Sequence, residues 1–176
     1  MCLVCSAWSA PLVAANLALD VASSRVRFHL HALGWWPIRG EASAVDRVVV
    51  ADAGTRIDVH VPLDSLRMDR EGYREWALSP EFFAAARHPQ LHFRADAIPR
   101  SRLRDGGEIS GWLEVRGQRR QARFILVASD CTAAAPTCRV RASGELSRRA
   151  FGMRTRRLTL GDRIRIDLDL HLVPAR

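Results

Sequence analysis

Alternation of apolar and polar residues with a period of two runs through most of this chain, and it restricts the fold more than any other feature. Val26, Phe28 and Leu30 alternate with Arg25, Arg27, His29 and His31, and Ile57, Val59, Val61 and Leu63 alternate with Asp58, His60 and Pro62. The pattern recurs in Leu91, Phe93 and Ala95, in Ile109, Leu113 and Val115, and from Ile164 to Leu172. Successive side chains of a strand point to opposite faces, so each run has one dry face and one wet face. Asp52-Ala53-Gly54, Asp105-Gly106-Gly107 and Gly161-Asp162 supply hairpin chemistry between the runs. Residues 124–127 (FILV) are continuously apolar, which predicts a strand covered on both faces or a bulge. About eight or nine strands are expected in all.

One segment breaks the alternation. In residues 70–87 (REGYREWALSPEFFAAAR), Tyr73, Trp76 and Ala77 have helical spacing. Ser79-Pro80-Glu81 then predicts a second helix start, with Ser79 as N-cap, and Pro89 ends it. Many antiparallel strands with short turns give a sandwich or a closed barrel. The expected architecture is all-β: a closed, antiparallel, eight-stranded barrel with a short helical insertion in mid-chain. Eight strands enclose a space just wide enough for side chains or for one ligand. A membrane barrel alternates too, but with its apolar face outward, and here the polar face carries too many arginines for a small lumen. Parity by itself leaves two interiors open: a hollow, or a core filled by its own side chains.

The 176 residues suit one domain, expected over 17–176, and no repeat or linker divides them. The formal net charge is +8, and all 27 basic residues are arginine, spread along the chain. An all-Arg set points to coding bias as much as to a designed surface. No dedicated nucleic-acid site is expected, and contact with an anionic membrane surface is as compatible with the charge. Residues 1–16 are apolar and rich in small side chains, which fits a signal-peptide remnant lacking its positive start, or a disordered arm. Cys2 and Cys5 fall in that segment. Cys131 and Cys138 bracket a Pro-containing loop, TAAAPT. They read as a disulfide contributing roughly 2–3 kcal/mol, the alternative being two free thiols. A bridge and a leader both indicate an oxidising compartment, hence a periplasmic or secreted protein.

Catalytic chemistry is hard to find. His29, His31, His60, His92 and His171 sit on the wet face of separate strands, and none has metal-ligand spacing such as His-Glu-x-x-His. Asp167 and Asp169 flank Leu168 on the outward face, where an acid–base pair has no pocket. No nucleophile elbow is visible. The expectation is a binding protein, not an enzyme, with no cofactor and no metal.

Ser24–Leu30 (SRVRFHL), Ile38–Gly40 (IRG), Ser79–Phe93 (SPEFFAAARHPQLHF), Gly111–Gly117 (GWLEVRG), Arg149–Gly152 (RAFG) and the closing Gly161–Leu172 segment carry a resemblance. Together they resemble the YceI-like family, in that family's order and over about residues 17–174. The chain departs from the family at Ala42, where an aromatic is common, at Trp35-Trp36-Pro37, and in the Cys131–Cys138 insertion. The resemblance implies a lipocalin-like barrel holding a long-chain isoprenoid or fatty lipid. On that reading Phe28, Leu30, Val59, Val61, Leu63, Phe93, Leu113, Phe124, Leu126, Phe151, Leu168 and Leu170 line a cavity. Trp36 and Ile38 form another wall, and Phe82 and Phe83 plug one end. Arg149, His31 and Arg39 are the head-group candidates. Two alternatives stay open: a basic-surfaced interaction protein with a solid core, and an enzyme of lipid or quinone metabolism. A homodimer also stays open.

Overall fold

The alternating runs form strands because each can bury one face only by pairing and curling around it. A computed structural model of the chain describes residues 17–43, 48–51, 54–70, 72–131 and 137–174. The N-terminal segment with Cys2 and Cys5, and the Asp52-Ala53 turn, lie outside the described residues. The strands are β1 (Leu17–Leu19), β2 (Arg25–Ala32), β3 (Trp36–Ser43), β4 (Val48–Ala51), β5 (Gly54–Pro62) and β6 (Arg67–Met68). After them come β7 (Gln90–Ile98), β8 (Gly107–Val115), β9 (Gln118–Leu126), β10 (Cys138–Ser147) and β11 (Arg163–Pro174). Two short helices, α1 (Tyr73–Leu78) and α2 (Arg100–Asp105), interrupt the series. No helix among the described residues is long and apolar enough to cross a membrane.

All the strands join one antiparallel sheet in the order β4-β5-β7-β8-β9-β10-β11-β2-β3-β6, with β1 added beside β11. The last long strand returns to pair with the first, Ile166 opposite Phe28 and Leu168 opposite Val26. The expected closure into an eight-stranded ring does not occur. The sheet has more strands than eight, and its ends, β4 and β6, are not paired to each other, so it forms a curled half-barrel. β3 and β5 approach each other across the seam without a ladder between them. Side-chain chemistry pins that seam: the Ser65 hydroxyl donates to the Pro62 carbonyl at 2.6 Å and accepts from the Ser43 N–H at 3.1 Å.

Two glycines let the sheet bend tightly. A Cβ on Gly111 would lie 2.7 Å from the Phe93 ring, and one on Gly144 would lie 2.8 Å from the Phe124 ring. Each Phe therefore lies over the bare backbone of the neighbouring strand, and the two rings meet edge to face at 4.9 Å. Parity holds where the ladder is regular. It holds even at residues 124–127, where Phe124 and Leu126 are buried and Ile125 and Val127 face solvent, so that strand is neither covered on both faces nor bulged there. It holds in β11 as well, where Asp169 stands on the outward face opposite Arg141 and is buried there by its charged neighbours. Arg139 reaches over from β10 and forks onto the Asp169 carboxylate.

The expected second helix after Ser79 is absent. Residues 79–88 form consecutive turns, with Ala84 at a left-handed φ of 53° that stops helical propagation. Ser79 still acts as a cap, its hydroxyl accepting from the Glu81 N–H. Cys131 and Cys138 are disulfide-bonded, with Cα atoms 5.1 Å apart.

Candidate functional site

Helix α1 lies over one end of the half-barrel. Gly72, in a left-handed conformation, starts it; Ala77 is its buried face; and the Ser79 N–H closes it on the Trp76 carbonyl. Facing α1 is the loop between Met153 and Gly161, and one side chain organises that loop. Arg148 is fully buried. Its guanidinium donates to the carbonyls of Met153 (2.5 Å), Thr155 (2.9 Å), Leu160 (2.9 Å) and Gly161 (2.8 Å). Five fixed N–H donors suit such convergence on backbone acceptors. Asp162 anchors the same turn by accepting from the Ser147 hydroxyl and the Arg149 N–H. Burial pushes its carboxyl up, but those hydrogen bonds and the Arg149 and Arg148 charges outweigh burial and hold it below the ordinary carboxylate range.

Between α1 and this loop opens a pocket of about 560 Å³. Ala32, Leu33, Ile38, Gly72, Tyr73, Trp76, Arg156, Thr159 and Leu160 line it. That volume lies in the ordinary range of small-molecule sites. Leu33 and Arg156 both hold left-handed φ values, 52° and 53°, which for non-glycine residues marks locally stored strain. The buried indole N–H of Trp76 has no hydrogen-bond partner among the described residues. Arg156 lies over the Trp76 ring at 5.4 Å, and Arg70 over the Trp36 ring at 4.4 Å.

The barrel interior differs from the expected hollow. Phe28, Leu30, Ile38, Val59, Val61, Leu63, Phe82, Phe83, Phe93, Leu113, Phe124, Leu126, Phe151 and Leu170 all point inward and are buried. Trp36 and Leu168 pack against them half-buried. The space they enclose is nearly filled. One gap of about 30 Å³ lies among Phe28, Val61, Phe93, Phe124 and Leu168, and one of about 20 Å³ among Phe28, Leu30, Trp76, Phe82 and Phe83. Each has room for little more than a water. The physical reason is the open seam: a closed ring fixes its radius by strand number and stagger, whereas an open sheet curls until its side chains touch. Leu63, Leu126, Phe151 and Leu170 line neither gap and serve as core. The three spaces nonetheless lie side by side, since Trp76 borders the pocket and the smaller gap, and Phe28 borders both gaps.

None of the three expected head-group residues lines the pocket. Arg149 is exposed and faces Asp162 at 3.5 Å. His31 and Arg39 are exposed on the outer face. The pocket's own cation is Arg156, and Trp76 lines it with its ring. Neither stands in an alternating strand, so parity could not mark them.

Around the pocket mouth the surface is apolar at its tip and basic behind it. Leu33 is 61% exposed, Trp35 68% and Leu158 99%. The β2–β3 turn and the 153–161 loop meet there through a hydrogen bond from the Leu33 N–H to the Thr159 carbonyl. Exposed Arg154, Arg156 and Arg157 stand next to Leu158.

Comparison with known proteins places this geometry. The YceI-like domain family matches residues 17–172. The crystal structure of Burkholderia cenocepacia BcnA is similar, with a TM-score of 0.70 at 17% identity, covering 87% of this chain and 98% of that one. A polyisoprenoid binding domain from Saccharophagus degradans superposes with a TM-score of 0.67 at 12% identity, covering 92% and 99%. A Campylobacter jejuni YceI protein gives 0.57 at 16% identity, covering 78% and 84%. A search of the curated proteins found no match. Identities this low speak for the shared fold alone.

Proposed function

The chain belongs to the YceI-like family, and on that premise we propose that it binds a long-chain isoprenoid or similar lipid at the α1 mouth. The polar end would sit beside Arg156 and Trp76, and the tail would enter the half-barrel. One observation carries the reading: the α1 pocket and two packing gaps lie side by side in an interior of apolar side chains, with Trp76 the wall between the pocket and the smaller gap and Phe28 the wall between the two gaps. The Saccharophagus neighbour, described as polyisoprenoid-binding, supports the ligand class. A lipid oxygen at Trp76 would satisfy an indole N–H whose burial without a partner costs about 1–3 kcal/mol. Admitting the tail requires Phe82 and Phe83 to part and the seam to widen. Because β3 and β5 share no ladder, that opening breaks no ladder between them and releases the Ser43 N–H from the Ser65 hydroxyl. Each buried CH₂ returns about 0.8 kcal/mol, so ten give roughly 8 kcal/mol before ordering costs.

The apolar tip and its arginines suit an anionic bilayer as the place of loading: Leu33, Trp35 and Leu158 enter the interface and Arg154 and Arg157 meet phosphates. On this reading the protein works outside the reducing cytosol, which the Cys131–Cys138 bond supports. It carries or stores lipid and does no chemistry on it.

Extraction of the purified, folded protein with organic solvent, followed by mass spectrometry, is expected to release about one lipid per chain. Farnesol added to stripped protein is expected to change tryptophan emission, and Trp76→Phe to remove most of that change. An empty extract together with an unresponsive titration would refute lipid binding. The filled interior favours a second reading in that event, a solid-cored protein that only docks on membranes. Flotation with anionic vesicles tests the tip by itself: Leu158→Asp with Trp35→Asp should abolish binding while leaving stability within about 0.5 kcal/mol.

A further inference from the structure

On the outer face of the sheet, away from the lipid pocket, three metal-ligating side chains converge. Asp58 and His60 stand two residues apart on β5, on one face of the strand, and His92 is the direct cross-strand partner of His60 on β7. The two imidazoles stack in parallel with centroids 4.0 Å apart. Both aim Nε2 at the same carboxylate oxygen, Asp58 Oδ1, at 3.3 Å for His60 and 2.5 Å for His92. One ligand atom from each residue lies within 4.8 Å of the others.

We propose that Asp58, His60 and His92 form a surface site for a divalent transition-metal ion, with Zn²⁺ the best match. The donor set is two neutral imidazole nitrogens and one carboxylate, the chemistry that borderline ions such as Zn²⁺ prefer over Mg²⁺ or Ca²⁺. Tetrahedral ligands about 2.0–2.1 Å from zinc stand roughly 3.3–3.4 Å apart. The His60–Asp58 spacing of 3.3 Å matches that distance, and the stacked rings tilt apart so that both Nε2 lone pairs meet one ion. The closer His92–Asp58 hydrogen bond widens as the ion takes the place of the bridging proton. The three side chains are 27–30% exposed, open enough to admit an ion and covered enough to be held in place. Strands fix such ligands more firmly than loops do.

The cluster differs from the other histidine–carboxylate pairs. His29–Asp167 and His171–Asp169 each join one imidazole to one carboxylate. Among the described residues only the Asp58 group brings two histidines to one carboxylate. Charged neighbours complete the setting. Glu114 stands directly across from His92 on β8 and is the nearest carboxylate by register for the fourth position. Arg94 lies opposite Asp58, but its guanidinium is engaged by Asp96.

Titration calorimetry of the full chain with ZnCl₂ in metal-free buffer tests the site. The expected result is saturable binding of one ion per chain, weakened at least tenfold by His92→Gln and at least tenfold by Asp58→Asn, and unchanged by His29→Gln. These residues are on the solvent face, and circular dichroism confirms folding of each variant. As an independent readout, NMR of the imidazole ring protons should show shifts at His60 and His92 on zinc addition and none at His29 and His171. Absence of saturable binding overturns the proposal, as does binding that survives both variants or ring shifts confined to other histidines.

Discussion

Arg148→Met is the most informative single change, because one side chain holds the wall of the α1 pocket. The guanidinium makes four hydrogen bonds to backbone carbonyls between Met153 and Gly161. Hydrogen bonds from a charged donor contribute about 1.5–3 kcal/mol each, so the gross loss is on the order of 6–12 kcal/mol. Against that stands desolvation of the buried guanidinium, several kcal/mol, which methionine avoids. Carbonyls near the surface also regain water. The net cost is expected at about 3–5 kcal/mol. At roughly 2–4 °C per kcal/mol for a chain of this size, Tm should fall by about 6–20 °C. Arg148→Lys keeps the charge but loses the fork, and should fall between the two. Its neighbour provides the control: Arg149 is exposed, and Arg149→Met should stay within about 0.5 kcal/mol of the parent. The assay is thermal unfolding by circular dichroism, with hydrogen exchange read at 153–161. If Arg148→Met matches the parent within 0.5 kcal/mol, or if exchange in that loop does not quicken, the loop-anchoring role is wrong.

Three further outcomes follow from the geometry. Reduction, or Cys131→Ser, removes a short covalent loop and should cost about 2.5 kcal/mol on the chain-entropy model, seen as a lower midpoint in urea with the rest of the fold kept. The Arg139 fork on Asp169 chiefly holds that carboxyl below its ordinary range, against an opposing push from burial. Its stabilisation is therefore complete above the unfolded value of about 3.9 and is lost as pH falls through the lower folded value, so Asp169→Asn should flatten the stability–pH curve below about pH 4. Val61→Asp places an unpaired charge in a filled core, and soluble yield should collapse; good yield with normal thermal unfolding would mean that the interior is looser than described.

Parity in the sequence identified the inner wall residue by residue. Phe28, Val59, Val61, Phe93 and Leu113 all face inward because a strand has only two faces, and only one of them here is apolar. It failed wherever the backbone left the ladder. Arg148 and Arg149 are adjacent in a turn, where no period says which points inward, and the residue matched in Arg-x-Phe-Gly was the exposed one. Arg156 and Trp76 meet from segments 80 residues apart, and His92 meets His60 only through the β5–β7 register. The seam and the filled interior depend on how far the sheet curls, a balance among all its side chains at once.

The amino-acid order alone therefore determined the all-β class, the apolar inner face and the family, and it brought Cys131 and Cys138 close enough to pair. Each follows from local periodicity, short loops or contiguous motifs. Only the tertiary structure decided that the ring stays open, where the pocket lies and which arginine builds it. Those properties arise from volume filling and from strand register between distant segments, and neither is written in any one stretch of chain.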